Sequence, residues 1–191
     1  MLNDQMKNRI KSKPRLWSAS LFFVTLLLIC TGGAVFAEGI AKSSFTASLG
    51  VDFLNYQHSY LSTQAAYVRE ITDTLEFELG AAFGIRVEEQ EPGFFLPFHA
   101  GFGFVFPNAG PGEGVIGIGL TPAFNWGAGI DETRFYLGPH LKAALRLPIH
   151  PYMQWQIEVQ QNLHIGPPKW INTSTRVMTG VKFFFSDSND S

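Results

Sequence analysis

Cysteine is almost absent from this chain, since Cys30 is the only one in 191 residues. One thiol cannot close an internal disulfide, so the fold must be held in another way, such as by a closed hydrogen-bonded sheet. Long apolar runs are also missing. The best candidate, 21–29, is shorter than the roughly 20 residues that a membrane-spanning helix needs. The five histidines have no metal-ligand spacing, and we expect no metal site and no cofactor.

The first 37 residues have the layout of a cleaved secretory signal. Five basic residues precede the short apolar core at 21–29, and Ala37 ends a Val-Phe-Ala tripeptide with small residues at its first and third positions. We therefore predict cleavage after Ala37. A lipoprotein signal would use Cys30, but the residue before that cysteine must be small and is Ile29.

The charge balance argues against nucleic acid as a partner. The full chain has a net charge of −2, and the signal carries five basic residues and one acidic residue. Its removal leaves nine basic and 15 acidic residues, a net charge of −6. Neither nucleic acid nor an anionic membrane surface attracts such a chain by charge. We expect one domain over 38–185, followed by a polar tail over 186–191.

Eight segments alternate an apolar residue with a polar or small one, which predicts strands with two different faces. The alternation is clearest from Met153 to Ile165, where every odd position except Gln161 is apolar. The connections are short and rich in turn residues, so neighbouring strands should pair antiparallel. The predicted strands span about 44–56, 62–72, 74–88, 94–106, 115–126, 134–147, 153–165 and 174–185.

Glycine indicates which face points inward. A soluble barrel with its apolar face inside has the same alternation and is the main rival. The glycines on the polar face make room for large side chains inside a narrow barrel, whereas they gain nothing on a solvated surface. They are Gly50, Gly80, Gly84, Gly101, Gly103, Gly117, Gly119, Gly138 and Gly180. The sequence thus predicts an all-β fold, an eight-stranded antiparallel up-and-down transmembrane β-barrel.

Three prolines interrupt the predicted strands. Pro97, Pro122 and Pro139 each remove a donor from the ladder of backbone hydrogen bonds. Pro139 lies nearest the middle of its strand, and we expect a β-bulge there.

The final strand carries a recognisable pattern. Gly180 is followed by an aromatic residue at Phe183 and another at Phe185, which matches the closing-strand signal of bacterial outer-membrane barrels. In this the chain resembles the small eight-stranded barrels, the group that includes OmpX, OmpW and the OmpA barrel domain. The resemblance implies an outer-membrane location, contact with membrane lipid, insertion by the barrel-assembly machinery and a monomeric state. It also implies periplasmic termini and outward loops at 57–62, 89–93, 127–133 and 166–173.

The polar face carries nearly balanced charges, which we expect to form a network in the lumen. We expect Lys142 and Glu158 to meet near its middle. Such a network either plugs the barrel with ion pairs or lines an ion path, and the narrow interior of eight strands favours the plug. The network residues are Asp52, Glu78, Arg86, Arg134, Lys142, Arg146, Glu158, Arg176 and Lys182.

These features favour a non-enzymatic barrel that is structural or exposed at the cell surface, with at most minor passive transport. A small pore, or a transporter of small and even hydrophobic molecules, is the alternative. A lipid-modifying enzyme is disfavoured, because the adjacent His58 and Ser59 point to opposite faces of a strand and cannot form a nucleophile–base pair. We assign no catalytic residues.

Overall fold

The structure is a computed structural model that describes residues 42–86, 92–107, 110–127, 130–167 and 169–185. The predicted signal segment, its cleavage site at Ala37 and the polar tail lie outside the described residues. No helix in the described ranges is long and apolar enough to cross a membrane. The strands are β1 (Ser43–Leu54), β2 (His58–Thr72), β3 (Leu75–Arg86), β4 (Gly93–Pro107), β5 (Glu113–Gly127), β6 (Ile130–His150), β7 (Met153–Ile165) and β8 (Ile171–Phe184).

The eight strands form a closed barrel in which each strand pairs antiparallel with its neighbour in sequence. The last strand closes on the first, with pairs from Ser44 opposite Phe184 to Leu54 opposite Ser174. This confirms the predicted all-β, up-and-down, eight-stranded barrel. Both ends of the barrel chain and the β2–β3, β4–β5 and β6–β7 connections lie at one rim, which we call the terminal end. The other four connections lie at the opposite rim, the loop end.

The two faces of the wall have opposite polarity, with the bulky apolar side chains outside. On β7, Ile157 and Val159 are 39% and 45% exposed, whereas Glu158 and Gln160 are at most 1% exposed. The same alternation runs through the other strands. The barrel is therefore inverted relative to a water-soluble one, which buries its apolar face.

Glycines on the inner face make room for large neighbours, as the sequence predicts. A Cβ at Gly80 would overlap the His99 ring, and one at Gly103 would press on the Glu76 side chain. A Cβ at Gly119 would meet the backbone of the facing strand. Small residues on the inner face thus let charged and aromatic side chains cross a narrow lumen.

The prolines coincide with local gaps in the ladders, but not with a bulge at Pro139. On β6 and β7, Leu137 pairs with Ile165 and His140 pairs with Asn162, so the register is unchanged across the gap. The expectation of a bulge at Pro139 was wrong. The missing N–H only interrupts the hydrogen bonds to β7, because the neighbouring strands keep the backbone in line.

Three strands extend by three or four residues beyond their predicted limits at the loop end, and one of them, β8, begins at Ile171 within the predicted loop 166–173. β2 begins at His58, so most of the predicted loop 57–62 belongs to a strand, and Tyr60 is fully buried in the lumen. β6 begins at Ile130 and takes up part of the predicted loop 127–133. Polar residues near these strand starts resemble loop sequence, but they lie where the wall rises past its apolar band.

Candidate functional site: the barrel interior

The interior is the candidate site, and an ion-pair cluster around Glu76 lies at its terminal end. Arg146 from β6 donates from Nη2 to Glu76 Oε1 at 2.6 Å and from Nη1 to Glu76 Oε2 at 2.8 Å. Lys182 Nζ from β8 lies 3.3 Å from Glu76 Oε2, and Arg146 also lies 3.4 Å from Glu113. Glu76, Arg146 and Lys182 are each 1% exposed. A two-point arginine–carboxylate contact of this kind fixes both distance and direction across the lumen.

A second cluster lies one step deeper, around Glu78. Its carboxylate pairs with Lys142 Nζ from β6, and its Oε1 lies 3.0 Å from His99 Nε2 from β4. The His99 ring meets the His140 ring edge to face, with centroids 6.3 Å apart. The cavity lined by these side chains and by Gly117 has a volume of only about 10 Å³. That is room for roughly one water molecule.

The expected contact between Lys142 and Glu158 was wrong. No ion pair within 4.0 Å joins them in the described part of the chain, and Lys142 pairs with Glu78 on the far side of the lumen. Glu158 instead accepts a hydrogen bond from Gln64 Nε2 at 2.8 Å. The prediction considered strands that are neighbours in the wall, whereas in a narrow barrel long side chains also reach across the lumen.

A third group links β1, β2, β7 and β8. Arg176 Nε lies 2.9 and 3.1 Å from the two carboxylate oxygens of Asp52, and Arg176 Nη1 donates to Gln64 Oε1 at 3.0 Å. Gln64 Nε2 in turn donates a hydrogen bond to Glu158 Oε1. No pattern in the sequence selects Gln64, because its bridging role depends on which strands face each other.

Uncharged polar side chains fill the loop half of the lumen. Thr121 Oγ1 lies 2.9 Å from His140 Nδ1 and donates to Asn162 Oδ1 at 3.0 Å. Asn162 Nδ2 donates to Ser174 Oγ at 2.9 Å, and His164 Nε2 lies 2.9 Å from the same oxygen. Ser174 and His164 are both 0% exposed. Sequence reasoning missed this serine–histidine pair, which becomes visible only once the β7–β8 register is known.

An apolar lid covers these polar groups at the loop end. We define the lid as Leu54, Tyr60, Phe95, Ala123 and Tyr136, a buried cluster with side chains from five strands. The Tyr60 and Phe95 rings lie 5.5 Å apart. Most of the other buried side chains of the interior are polar, so this layer separates the hydrogen-bonded core from the loop-end rim.

The predicted network residues separate into groups instead of forming one chain. Arg86 lies over the Tyr60 ring at 5.6 Å, beside the lid. Arg134 lies opposite Asn125 near the loop end and is half-buried. The other seven lie in the three groups described above, and each is at most 7% exposed. In the described residues, no group of three or more His, Cys, Asp or Glu side chains is placed to hold a metal ion.

The residues of the closing-strand signal lie on β8 and directly after it. Gly180 faces inward opposite Ser48, while Phe183 and Phe185 point outward and are 38% and 54% exposed. The Phe185 amide donates to the Ser43 carbonyl at 3.0 Å, so the backbone contact with β1 continues past the last assigned strand residue.

A closed barrel of eight strands with an apolar outside and a polar, filled inside has the fold of the small outer-membrane β-barrels. Neisserial surface protein A is one similar solved structure, with 12% sequence identity, a TM-score of 0.63, and coverage of 76% of this chain and 97% of that one. A major outer membrane protein from Thermus thermophilus has 14% identity, a TM-score of 0.59, and coverage of 77% of this chain and 100% of that one.

The outer membrane enzyme PagL has the same fold, with 13% identity, a TM-score of 0.51, and coverage of 72% of this chain and 97% of that one. Identities this low show a shared fold and leave activity open. No known protein-family profile matches the chain. No curated protein sequence matches it either.

Proposed function

We propose that this protein is a non-enzymatic outer-membrane barrel, closed to solutes, that serves as a structural or surface-exposed element. The observation that carries the proposal is the interior itself. An ion pair joins Glu76 on β3 to Arg146 on β6 across the lumen, a hydrogen bond joins Gln64 on β2 to Glu158 on β7, and an apolar lid covers them. An open pore needs a continuous path for water, and buried side chains paired across the lumen argue against such a path.

The wall supports a location in a membrane. Strands of 12 to 15 residues, such as β1 and β2, span about 28–35 Å along the membrane normal when tilted by roughly 45°, which matches a hydrocarbon core of about 30 Å. Closure of β8 on β1 leaves no unpaired edge to face lipid. Together with the signal predicted over residues 1–37 and the closing-strand pattern, these features support export, insertion by the barrel-assembly machinery, and a monomer surrounded by lipid.

A pore is the alternative function, and the charged side chains of the lumen would line its ion path. In a water-filled pore these charges would be solvated, as in a selectivity constriction. Here Asp52, Arg176, Glu76 and Arg146 are at most 1% exposed and paired at hydrogen-bond distance. Buried charges must be paired, and pairs of this kind, of which Glu76 with Arg146 crosses the lumen, favour a plug over a path.

An enzyme acting on lipid would need a nucleophile on the outer face. His58 pairs with the inward-facing Leu54 and Ser59 pairs with the outward-facing Phe53, so the two side chains point to opposite sides of the wall. Ser174 and His164 do contact each other, but they lie beneath the lid with no exposure. His164 Nδ1 also has no hydrogen-bond partner among the described residues, so no acid orients the ring.

Single-channel recording tests the proposal. The full chain is expressed, extracted from outer membranes and reconstituted into a planar bilayer. We expect an inserted, folded protein without conductance steps. The control is Tyr60→Ala combined with Phe95→Ala, which removes two rings of the lid and should admit water at the loop end while leaving the ion pairs in place. Reproducible steps from the unmodified protein, with an ion preference that changes in Lys142→Gln, would overturn the closed barrel in favour of the pore.

A further inference from the structure

The outer face of β7 carries one polar side chain within its apolar band. Gln161 is exposed on this face between Val159 and Leu163, which are 45% and 41% exposed, and opposite Leu141, which is 56% exposed. An amide that faces hydrocarbon without a partner costs free energy, so polar residues on such a surface are rare and tend to have a function. Gln161 is therefore unexpected at this position.

Neighbouring side chains satisfy only one end of the amide. Thr175 Oγ1 donates to Gln161 Oε1 at 2.6 Å, and Tyr56 Oη lies 2.9 Å from the same threonine oxygen. If the oxygen and nitrogen of the amide are exchanged, the nitrogen contacts Thr175 and the oxygen is left instead. In either assignment, the other end of Gln161 has no hydrogen-bond partner among the described residues. The missing partner must come from outside the barrel wall.

A groove on the outer face adjoins this amide. It has a volume of about 340 Å³ and lies between β6, β7 and β8, with Pro139, Leu141, Leu163 and Thr173 in its walls beside Gln161. It runs along the gap in the ladder at Pro139, where paired backbone is interrupted. A mostly apolar groove with the polar side chains of Gln161 and Thr173 in its walls fits an alkyl chain that bears a polar substituent.

We propose that this Gln161 groove binds an acyl chain of an outer-leaflet glycolipid, and that Gln161 hydrogen-bonds a hydroxyl group on that chain. A hydroxyl both donates and accepts, so it satisfies either end of the amide, whereas an ester carbonyl only accepts. Gln161 lies four residues before Ile165, the last paired residue of β7. That is roughly 13 Å along the strand and about 9 Å along the membrane normal from the loop end of β7.

The inference rests on the proposed function, which supplies the membrane and directs the loop end outward. A second copy of this chain is the competing occupant, because two Gln161 side chains could pair across a dimer. The groove favours lipid, since a volume of about 340 Å³ suits one alkyl chain, whereas a specific dimer contact needs roughly 1,000 Å² of buried surface.

Lipid binding to the full-length protein, extracted from outer membranes and stripped of lipid, tests the proposal. Native mass spectrometry measures retention of lipid A, whose chains carry hydroxyls, and of phosphatidylethanolamine, whose chains do not. We expect the unmodified protein to prefer lipid A. Gln161→Leu should bind lipid A about tenfold more weakly, as expected for the loss of one hydrogen bond in an apolar setting. Without lipid, its unfolding midpoint in urea should be unchanged or higher, because the substitution removes the unsatisfied end of the amide and Thr175 keeps Tyr56 Oη as a partner.

The matched control is Thr179→Val, which changes an outward-facing polar residue that is not part of the groove. Thr179 Oγ1 accepts a hydrogen bond of 2.9 Å from Trp155 Nε1. This variant should leave lipid A binding unchanged. Equal binding of lipid A by Gln161→Leu and the unmodified protein would overturn the proposal, as would equal affinity for the two lipids. A dimer that Gln161→Leu abolishes would assign the groove to a second copy. Conductance is measured separately, so the two proposals can fail independently. If the lipid preference is absent, the proposal of a closed barrel still stands. If the barrel conducts but keeps the lipid preference, only the proposal of a closed barrel is overturned.

Discussion

Replacing Asp52 with asparagine separates a plugged interior from a water-filled one. Asp52 and Arg176 are both 0% exposed, and Arg176 Nε lies 2.9 and 3.1 Å from the two carboxylate oxygens. Asp52→Asn keeps the shape of the side chain and removes its charge. Arg176 then remains buried beside Gln64, whose amide oxygen lies 3.0 Å away, and a neutral amide cannot balance a cation.

The expected cost follows from this burial. Removing one partner of a buried ion pair lowers the free energy of unfolding by about 3–5 kcal/mol, whereas breaking a solvated pair costs about 0–1 kcal/mol. The assay is urea unfolding of the reconstituted protein in lipid vesicles, followed by tryptophan fluorescence. Asp73→Asn, in the exposed β2–β3 turn, is the control for the same chemical change and should leave the midpoint in place.

A further variant distinguishes a buried charge from a lost shape. Asp52→Leu combined with Arg176→Met removes both charges and should recover most of the lost stability, because an apolar pair in place of a buried ion pair is often neutral or stabilising. If Asp52→Asn costs less than about 1 kcal/mol, water reaches this pair. A plugged lumen would then be refuted.

Three other outcomes test separate parts of the structure. The charge-removing cycle of Lys142→Gln and Glu78→Gln should give a coupling free energy of about 1–3 kcal/mol by urea unfolding, and additive effects would contradict the cross-lumen pair. Gly119→Ala should lower the free energy of unfolding by about 1–3 kcal/mol, because its methyl group meets the backbone of the neighbouring strand. The control Gly114→Ala, whose nearest atom is 3.9 Å away, should change that free energy by less than about 0.5 kcal/mol. Equal effects of the two variants would refute the packing argument. Phe185→Ser should lower the amount of folded barrel in the outer membrane, as measured by cell fractionation. It should leave refolding in detergent unchanged, because the side chain is 54% exposed. A matching refolding defect would mean that Phe185 stabilises the barrel itself.

The wall of the barrel follows from the sequence because it depends on local rules. A period of two is visible residue by residue, as along β7, and it sets which side chains share a face. Glycine then distinguishes the inner face from the outer face, because a residue without a side chain makes room for large neighbours only where side chains are crowded, inside the barrel. Neither inference needs knowledge of the strand register, and the structure agrees with both.

The contents of the lumen do not follow in the same way. Glu78 meets Lys142 and Glu76 meets Arg146 across the barrel, from strands that are not neighbours in the wall. These encounters depend on strand tilt and on the stagger between strands, which no single segment reports. Tyr60 was missed for a related reason, since the limit of β2 at the loop end could not be read from alternation among polar residues.

The inverted polarity also changes where the specificity of this fold resides. Lipid tails are as apolar as leucine, so an outward side chain such as Leu49 or Ile118 gains little by choosing a protein neighbour over lipid. The closed ladder gives the barrel its stability in hydrocarbon, but every antiparallel strand offers the same backbone groups. Cross-lumen pairs such as Glu76 with Arg146 have no such freedom, because a slip of one residue would turn either charge toward lipid. The ion pairs that we propose to close the lumen are therefore also the contacts that fix its register, and a protein that opened them to pass ions would give up that constraint.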